Sequence, residues 1–275
     1  MLSYDQLVSR NGNYIPDAVQ QCIRQTRVLI AGCGVGSNIA EAAVRIGFEN
    51  FVLIDGDRVE AHNLNRQLFA ACDVGSPKVH ALGRNLRSIN PAVNVREHNG
   101  WLTPENAAEF VSAADLVFDA IDLTSLEDIV ALHDESRRQR KTTLAVFSIG
   151  WGAGAIYFPP NGINFRDMMG LPLEGLVKNN IHGRQFAETI LGVLGQMDEE
   201  TRQVMLRSLV RTTDGIPCPG HVTVGYSSVA SLAITMAVRI LGNEIVAAAP
   251  RIVLSNLAAA CATGGIQVQR LAGAC

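Results

Sequence analysis

The feature that most constrains the fold is an alternation repeated over the first half of the chain. RVLIAG at 27–32 is an unbroken apolar run closed by glycine, strand-length and too short for a helix. A strand apolar on both faces belongs inside a parallel sheet with helices covering it. A helix is expected next, SNIAEAAVRIG at 37–47, with Ser37 placed to cap its start. NFVLID (50–55) reads as a second strand, and a helix from about 76 to 89 is ended by Asn90-Pro91. NVREH (94–98) reads as a third strand, and 103–114 as a helix capped by Thr103, with Glu105 and Asn106 in its first turn. DLVFDAID (115–122) is the fourth strand, 125–140 a helix, and 142–158 a fifth and a sixth strand. A short amphipathic helix over 16–26 comes before all of these. Such an order predicts an α/β fold: a Rossmann-like, doubly wound, mostly parallel sheet.

The texture changes at Pro159-Pro160. Turn signals and two helical runs, RQFAETILGVLGQM and DEETRQVMLRSLVR, read as an insertion rather than another βα unit. A long helix of small residues (220–241) follows, and 251–257 and 265–271 read as antiparallel closing strands. The expected organisation is a nucleotide-binding half (1–158), a crossover or insertion (159–217) and a C-terminal helix with closing strands (218–275), within one compact domain. Hydrophobic residues make up 48% and charged residues 18%, which excludes a disordered chain. A net charge of -3 gives no basis for a broad nucleic-acid footprint. The basic cluster Arg137, Arg138, Arg140 and Lys141 reads as the solvated end of a helix. The six cysteines form no C-x-x-C pair, which argues against a structural zinc site and a disulfide framework and for a reduced, cytoplasmic setting. MLSYDQLVSRNGNY lacks the apolar core of a signal peptide. VTVGYSSVASLAITMAV (222–238) approaches membrane-span length, but its small and hydroxyl residues and Arg239 favour a buried helix.

The first βα turn reads AGCGVGS, with Gly32, Gly34 and Gly36 at alternate positions. Glycines there let a phosphate approach the backbone, and the next helix aims its N–H groups at it. Ser37 stands where the dinucleotide fingerprint has its third glycine, so this turn does not choose a ligand. Asp55 ends the second strand nineteen residues past Gly36, where an acid hydrogen-bonds ribose. NAD and ATP both remain open at this point. HNLNRQ (62–67), Lys78 and Asp122 then gather at the same sheet edge. Hydride transfer has no task for two converging cations. A triphosphate does: cations stabilise charge on an α-phosphate, and a carboxylate can hold magnesium.

These residues resemble the E1-like adenylyltransferases, which include the ubiquitin-activating and sulfur-carrier-activating enzymes. The pattern here is GCGVGS, Asp55-Gly56-Asp57, Asn63-Leu64-Asn65-Arg66-Gln67, Pro77-Lys78 and Asp122, over roughly 8–150, with a weaker return at 219–241. The resemblance implies that Gly32, Gly34, Gly36, Asp55 and Asp57 bind nucleotide and that Asp55 holds the ribose. It implies that Asn63, Arg66 and Lys78 hold the phosphates and transition-state charge, and that Asp122 holds Mg2+. Arg10 corresponds to an arginine that the family contributes in trans from the other subunit of a homodimer. The implied reaction is attack of a carboxylate on the α-phosphate of ATP, giving an acyl-adenylate and pyrophosphate. The carboxylate is expected on a small ubiquitin-like or sulfur-carrier protein or a peptide.

The chain departs from the family pattern in three places. Its glycine loop is one residue shorter. The paired C-x-x-C zinc motifs are missing, so no zinc is expected. The only candidate for a catalytic thiol is Cys218, in DGIPCPGH, and it reads more simply as a structural cysteine. Three alternatives stand beside this expectation: cyclisation of a carboxylate on a modified tRNA nucleoside, an NAD-dependent oxidoreductase using His182 or His221 as acid, and a non-catalytic binding relative.

Overall fold

The apolar runs become strands of one sheet. In this computed structural model β1 (Arg27–Ala31), β2 (Asn50–Asp55), β3 (Asn94–Asn99), β4 (Leu116–Asp119) and β5 (Thr142–Ile149) run parallel in the order β3-β2-β1-β4-β5. β6 (Gly152–Phe158), β7 (Arg251–Asn256) and β8 (Gln267–Arg270) continue it antiparallel, completing an 8-stranded sheet. The structure describes residues 2–175, 177–178, 182, 189, 199, 203, 221–263 and 267–270. Most of the 159–217 insertion lies outside these residues, as do most of its two helical runs and Cys218 just after it.

The helices are α1 (Tyr4–Val8), α2 (Asp17–Gln25), α3 (Val35–Ile46), α4 (Lys78–Ile89), α5 (Ala107–Ser112), α6 (Leu126–Arg138), α7 (Phe165–Met169), α8 (Thr223–Leu241) and α9 (Leu257–Thr263). Strand alternation sends β1 to both faces of the sheet. Val28 and Ile30 join a core with Ile39 and Val44 of α3, Leu82 and Leu86 of α4 and Ala233 of α8. Leu29 and Ala31 join the opposite core with Phe110 and Val111 of α5 and Leu132 of α6. All four β1 residues are fully buried, as a continuous apolar run requires. A third cluster, with Phe158, Phe165 and Met168, fills the space between α6, α7 and the antiparallel strands.

α8 is long and apolar enough to cross a membrane, but half of its apolar window is buried in the protein. Val229, Ala230, Ala233 and Ala237 place it in the first core cluster, and its small residues let it lie against α3 and β6. α1 was not anticipated from the sequence. It is closed by a Ser3–Gln6 capping box, the reciprocal pairing of a side chain and a backbone N–H at each end.

Three boundaries differ from the sequence reading. Ser37 is not the cap of α3. The cap is Gly34, and the helix begins at Val35 because the glycine turn closes one residue after Cys33. Ser37 lies inside the first turn, where its hydroxyl donates to the Gly34 carbonyl (2.7 Å) and accepts from Leu68 N–H (3.1 Å). Thr103 does not cap a helix over 103–114. Asn106 Oδ1 takes the Thr103 N–H (2.8 Å), closing a separate turn, and α5 starts only at Ala107. β4 ends at Asp119 rather than Asp122. Ala120 N–H makes the last bond to β1, at the Ala31 carbonyl, and Asp119 Oδ1 then draws in the Ile121 N–H.

Candidate functional site

The strand order reverses between β1 and β4, and open α/β sheets bind ligands beyond the carboxyl ends of their strands at such a point. A cavity of about 570 Å³ lies there. Its wall includes the glycine turn, the ends of β2 and β5, the loop after β4, the 60–67 segment, Lys78 and Tyr226.

The three glycines have different reasons to be glycine. Gly32 has φ +89°, and a Cβ on it would stand 2.4 Å from the Ala120 carbonyl oxygen. A Cβ on Gly36 would meet Ile30 Cγ2 at 2.5 Å, so this residue lets α3 close onto β1. Gly34 has neither restriction: its φ is -68° and its nearest neighbour would be Gln67 Nε2 at 3.5 Å, an ordinary contact. A methyl group there would meet no close neighbour and would stand at the cavity wall. α3 also has no side-chain cap and no acid in its first turn. Its unpaired N–H groups and the positive end of its dipole are thus left to an anion.

Asp55 is buried at the end of β2. One oxygen accepts from Cys33 N–H (2.6 Å) and the other from Asp57 N–H (2.7 Å). Burial pushes its carboxyl above the ordinary range, while the positive charge of Lys78 and the two backbone donors oppose the rise. Lys78 begins α4 almost fully buried, and its ammonium pairs with the half-exposed Asp57 carboxylate at 2.7 Å. Burial raises the Cys33 thiol well above its ordinary pKa, so Cys33 is an inert filler of the turn.

The 62–67 stretch packs as a tight turn against this pocket. Asn63 is buried, with Oδ1 accepting from Glu60 N–H (2.9 Å) and Nδ2 lying 3.1 Å from His62 Nε2. Arg66 is also buried. Its guanidinium donates to the His62 carbonyl and to Asn65 Oδ1, both at 2.8 Å, and to the Tyr226 hydroxyl at 3.4 Å. Asn65 Nδ2 reaches the His221 carbonyl (3.1 Å), which ties this turn to the start of α8. Gln67 is buried against Gly34, and its Oε1 has no partner among the described residues. Asp122 lies on the exposed loop after β4 but still lines the cavity, with Oδ1 accepting from the Thr124 N–H (2.9 Å) and hydroxyl (2.8 Å).

The structure thus brings Gly32, Gly34, Asp55, Asp57, Asn63, Arg66, Lys78 and Asp122 to one cavity. Gly36 lies beneath it. Arg10 is exposed on the turn after α1 and does not line it. Of the two histidines weighed as acids, His221 lines the cavity and His182 does not; His182 Nδ1 accepts from Lys178 N–H (3.0 Å). Burial, then the charge of Arg66, lowers the His221 pKa below its usual value, against a smaller opposing pull from Asp122. Sequence reasoning missed Trp101 and Tyr226. Trp101 is an exposed indole just past β3, at the cavity rim, and a Cβ on Gly56 would strike it at 2.5 Å. Its signal was a large aromatic directly after a strand end. No group of three or more potential metal-ligating His, Cys, Asp or Glu side chains occurs among the described residues.

A doubly wound sheet with a glycine turn opening α3 and an aspartate ending β2 is the architecture of nucleotide-binding α/β proteins. Within that class the chain belongs to the ThiF family, whose model matches residues 8–260. A sulfur carrier protein adenylyltransferase of Thermus thermophilus is 35% identical over 108 residues, 39% of this chain and 40% of that protein. A tRNA threonylcarbamoyladenosine dehydratase of Escherichia coli is 34% identical over 151 residues, 54% of each chain. The chain spans less than half the length of the Thermus protein and of the Haemophilus influenzae dehydratase, 40% and 47% respectively. Among solved structures, E. coli MccB with MccA-N7isoASN superposes with a TM-score of 0.70 at 20% identity, covering 98% of this chain and 72% of that one. E. coli TcdA, a tRNA N6-threonylcarbamoyladenosine dehydratase, gives 0.61 at 20% identity, covering 87% and 95%. These likenesses establish the fold. None of the proteins named here is an oxidoreductase.

Proposed function

We propose that this protein is an ATP-dependent adenylyltransferase that activates a carboxylate as an acyl-adenylate. The observation that carries this reading is the convergence of Arg66 and Lys78, two buried cations, on a cavity that also holds the glycine turn and Asp55. Lys78 is paired with Asp57 and Arg66 is held by the 62–65 turn, so both positive charges are fixed at the cavity wall, where they favour an anionic ligand. The cavity is within the size range of small-ligand sites, roughly 300–1,000 Å³. Gly34 leaves backbone accessible where a phosphate would lie, and the uncapped start of α3 supplies donors.

In this mechanism Asp55 accepts from the ribose hydroxyls, and α3 with Gly32 and Gly34 cradles the phosphates. Asn63 and Arg66 orient the α-phosphate, and Asp57 holds Lys78 at the wall. A substrate carboxylate oxygen attacks the α-phosphorus. The new P–O bond forms as the bond to the bridging oxygen breaks, and that electron pair leaves with pyrophosphate. Arg66 and Lys78 stabilise the charge that grows on the α-phosphate oxygens. The residues also fit Mg2+, which takes one or two carboxylates together with phosphate oxygens. Asp122 would hold it through Oδ2, which has no hydrogen bond among the described residues, and the ion would supply further neutralisation of the phosphates.

The substrate in this reading is the C-terminus of a small carrier protein or a peptide. The relatives named for sulfur-carrier activation support it, as does MccB, crystallised with MccA. The protein acts as a cytoplasmic homodimer, with exposed Arg10 reaching a neighbouring subunit's cavity. A second reading, cyclisation of a carboxylate on a modified tRNA nucleoside, draws support from the match to 95% of the TcdA chain. Exchange of labelled pyrophosphate into ATP tests both. Exchange that depends on a carrier protein or peptide supports the first reading, and exchange that depends on tRNA moves the assignment to the second.

A further inference from the structure

We propose that the buried pair Asp119–His133 is a positioning device that sets the loop carrying Asp122. The proposal rests on the reading of the cavity as a nucleotide site. Asp119 ends β4 and is 6% exposed; His133, on α6, is 5% exposed. Asp119 Oδ2 faces His133 Nε2 at 3.0 Å, and Oδ1 accepts from the N–H of Ile121. The carboxylate therefore grips the loop at its first turn and the helix after the loop at the same time.

The imidazole is itself fixed. It stacks on Phe165 of α7 with ring centroids 4.3 Å apart and planes 25° apart, and meets Phe158 of β6 edge-on at 4.8 Å. Between Asp119 and α6 the loop has little freedom. Asp122 Oδ1 holds Thr124, and the Asp122 carbonyl accepts from Ser125 N–H, at the residue that caps α6. Asp122 thus sits on a hydrogen-bonded turn hung from Asp119 at one end and α6 at the other.

Stability alone gives no reason for this arrangement. An apolar pair of similar volume packs as well as a buried ionic or polar pair, or better. What the polar pair adds is direction: one oxygen for the loop, the other for the helix. Groups bonded to a metal-holding carboxylate set its orientation; here the pair acts one step further back, through the backbone of the loop. The ring packing also makes the Asp122 loop depend on α7, the first helix of the insertion.

The test is ATP binding to the full-length protein by calorimetry, with and without Mg2+. His133→Phe keeps the ring packing and removes the nitrogen. We expect Mg2+-free ATP affinity to stay at the wild-type value while the affinity of the ATP complex for Mg2+ falls by about tenfold, the low end of the effect of losing a group bonded directly to a metal ligand, because the pair acts through the loop backbone. His133→Gln, which keeps a donor, should restore most of that loss. A cooperative melting transition confirms folding, and if His133→Phe does not fold, Asp119→Asn reads the same quantity. A folded variant with wild-type Mg2+ affinity overturns the positioning role and leaves the nucleotide reading standing. Wild-type protein that binds no ATP overturns the nucleotide reading, and this proposal with it.

Discussion

Replacing Gly32 and Gly34 by alanine should separate a glycine needed by the fold from one needed by the ligand. At Gly32 the backbone is left-handed, with φ +89°, and the new Cβ would lie 2.4 Å from the Ala120 carbonyl oxygen. The conformation alone costs about 1–2 kcal/mol for an L-residue. The clash is with backbone in the middle of the β1–β4 junction, so relief requires the two strand ends to part. The total should reach roughly 2–4 kcal/mol, within the range of backbone strain and overpacking combined. At Gly34 the φ of -68° lies outside the left-handed region, its ψ of -94° is not that of a regular helix, and the methyl group meets only the amide of Gln67, at 3.5 Å. The remaining cost is that of alanine as a helix cap, about 1 kcal/mol, partly offset by the lower entropy of the unfolded chain. Urea unfolding should therefore show a large loss for Gly32→Ala and a small one for Gly34→Ala. ATP binding should show a loss of at least about tenfold for Gly34→Ala, equal to 1.4 kcal/mol, because the methyl group occupies the approach to the backbone. Gly34→Ala that binds ATP with wild-type affinity would refute the phosphate cradle. Gly32→Ala with wild-type stability would refute the steric account of the turn.

Other outcomes follow from the same geometry. Arg66→Ala should lower the adenylation rate by about 10²–10³, the loss typical of one transition-state donor, and an unchanged single-turnover rate removes Arg66 from the chemistry. Lys78→Met keeps the aliphatic stem and leaves Asp57 to water, since that carboxylate is 51% exposed. Stability should then change by no more than about 1 kcal/mol, while ATP affinity falls; loss of the fold would show the lysine to be structural. The His221 pKa is lowered from 6.5 by burial and by Arg66. A depressed folded value means that the His221 contribution to stability is present above pH 6.5 and is lost as pH falls through the folded pKa. The unfolding free energy of wild type should drop on that acid side, and His221→Asn should flatten the drop. An NMR titration of the ring placing its midpoint above 6.5 contradicts the assignment.

The parallel frame was legible because burial on two faces writes itself into sequence. Val28 to Ala31 and Phe51 to Ile54 are apolar without a break, and no other element of that length accepts such a run. Asp55, Lys78 and the 62–67 segment were legible because polar groups cluster where strands end. Helix starts were harder to read. Ser37 and Thr103 have the chemistry of caps, but tertiary contacts used them otherwise: Ser37 takes a proton donor from Leu68, and Thr103 yields its N–H to Asn106. The end of β4 was misjudged because the strand-like run of DLVF continues through DAID, whereas in the structure Ala120 N–H makes the last bond to β1 and Ile121 N–H donates to the Asp119 side chain instead. Tyr226 could not be placed in the site from local pattern, and for Trp101 the only local signal was an aromatic just past a strand end. Tyr226 reaches Arg66 across 160 residues of chain, and the pleat that brings Trp101 over Gly56 comes from β2–β3 pairing. The Asp119–His133 pair was hidden for the same reason, since its partners belong to different elements.

The central claim is that this cavity takes ATP and that Arg66 and Lys78 are its phosphate-binding cations. The most direct test is equilibrium binding of ATP and of NAD to wild type, Arg66→Ala and Lys78→Met under one set of conditions. The account predicts that wild type binds ATP and not NAD, and that each substitution weakens ATP binding while leaving a folded protein. Binding of NAD without ATP, or ATP affinity indifferent to both substitutions, would contradict it.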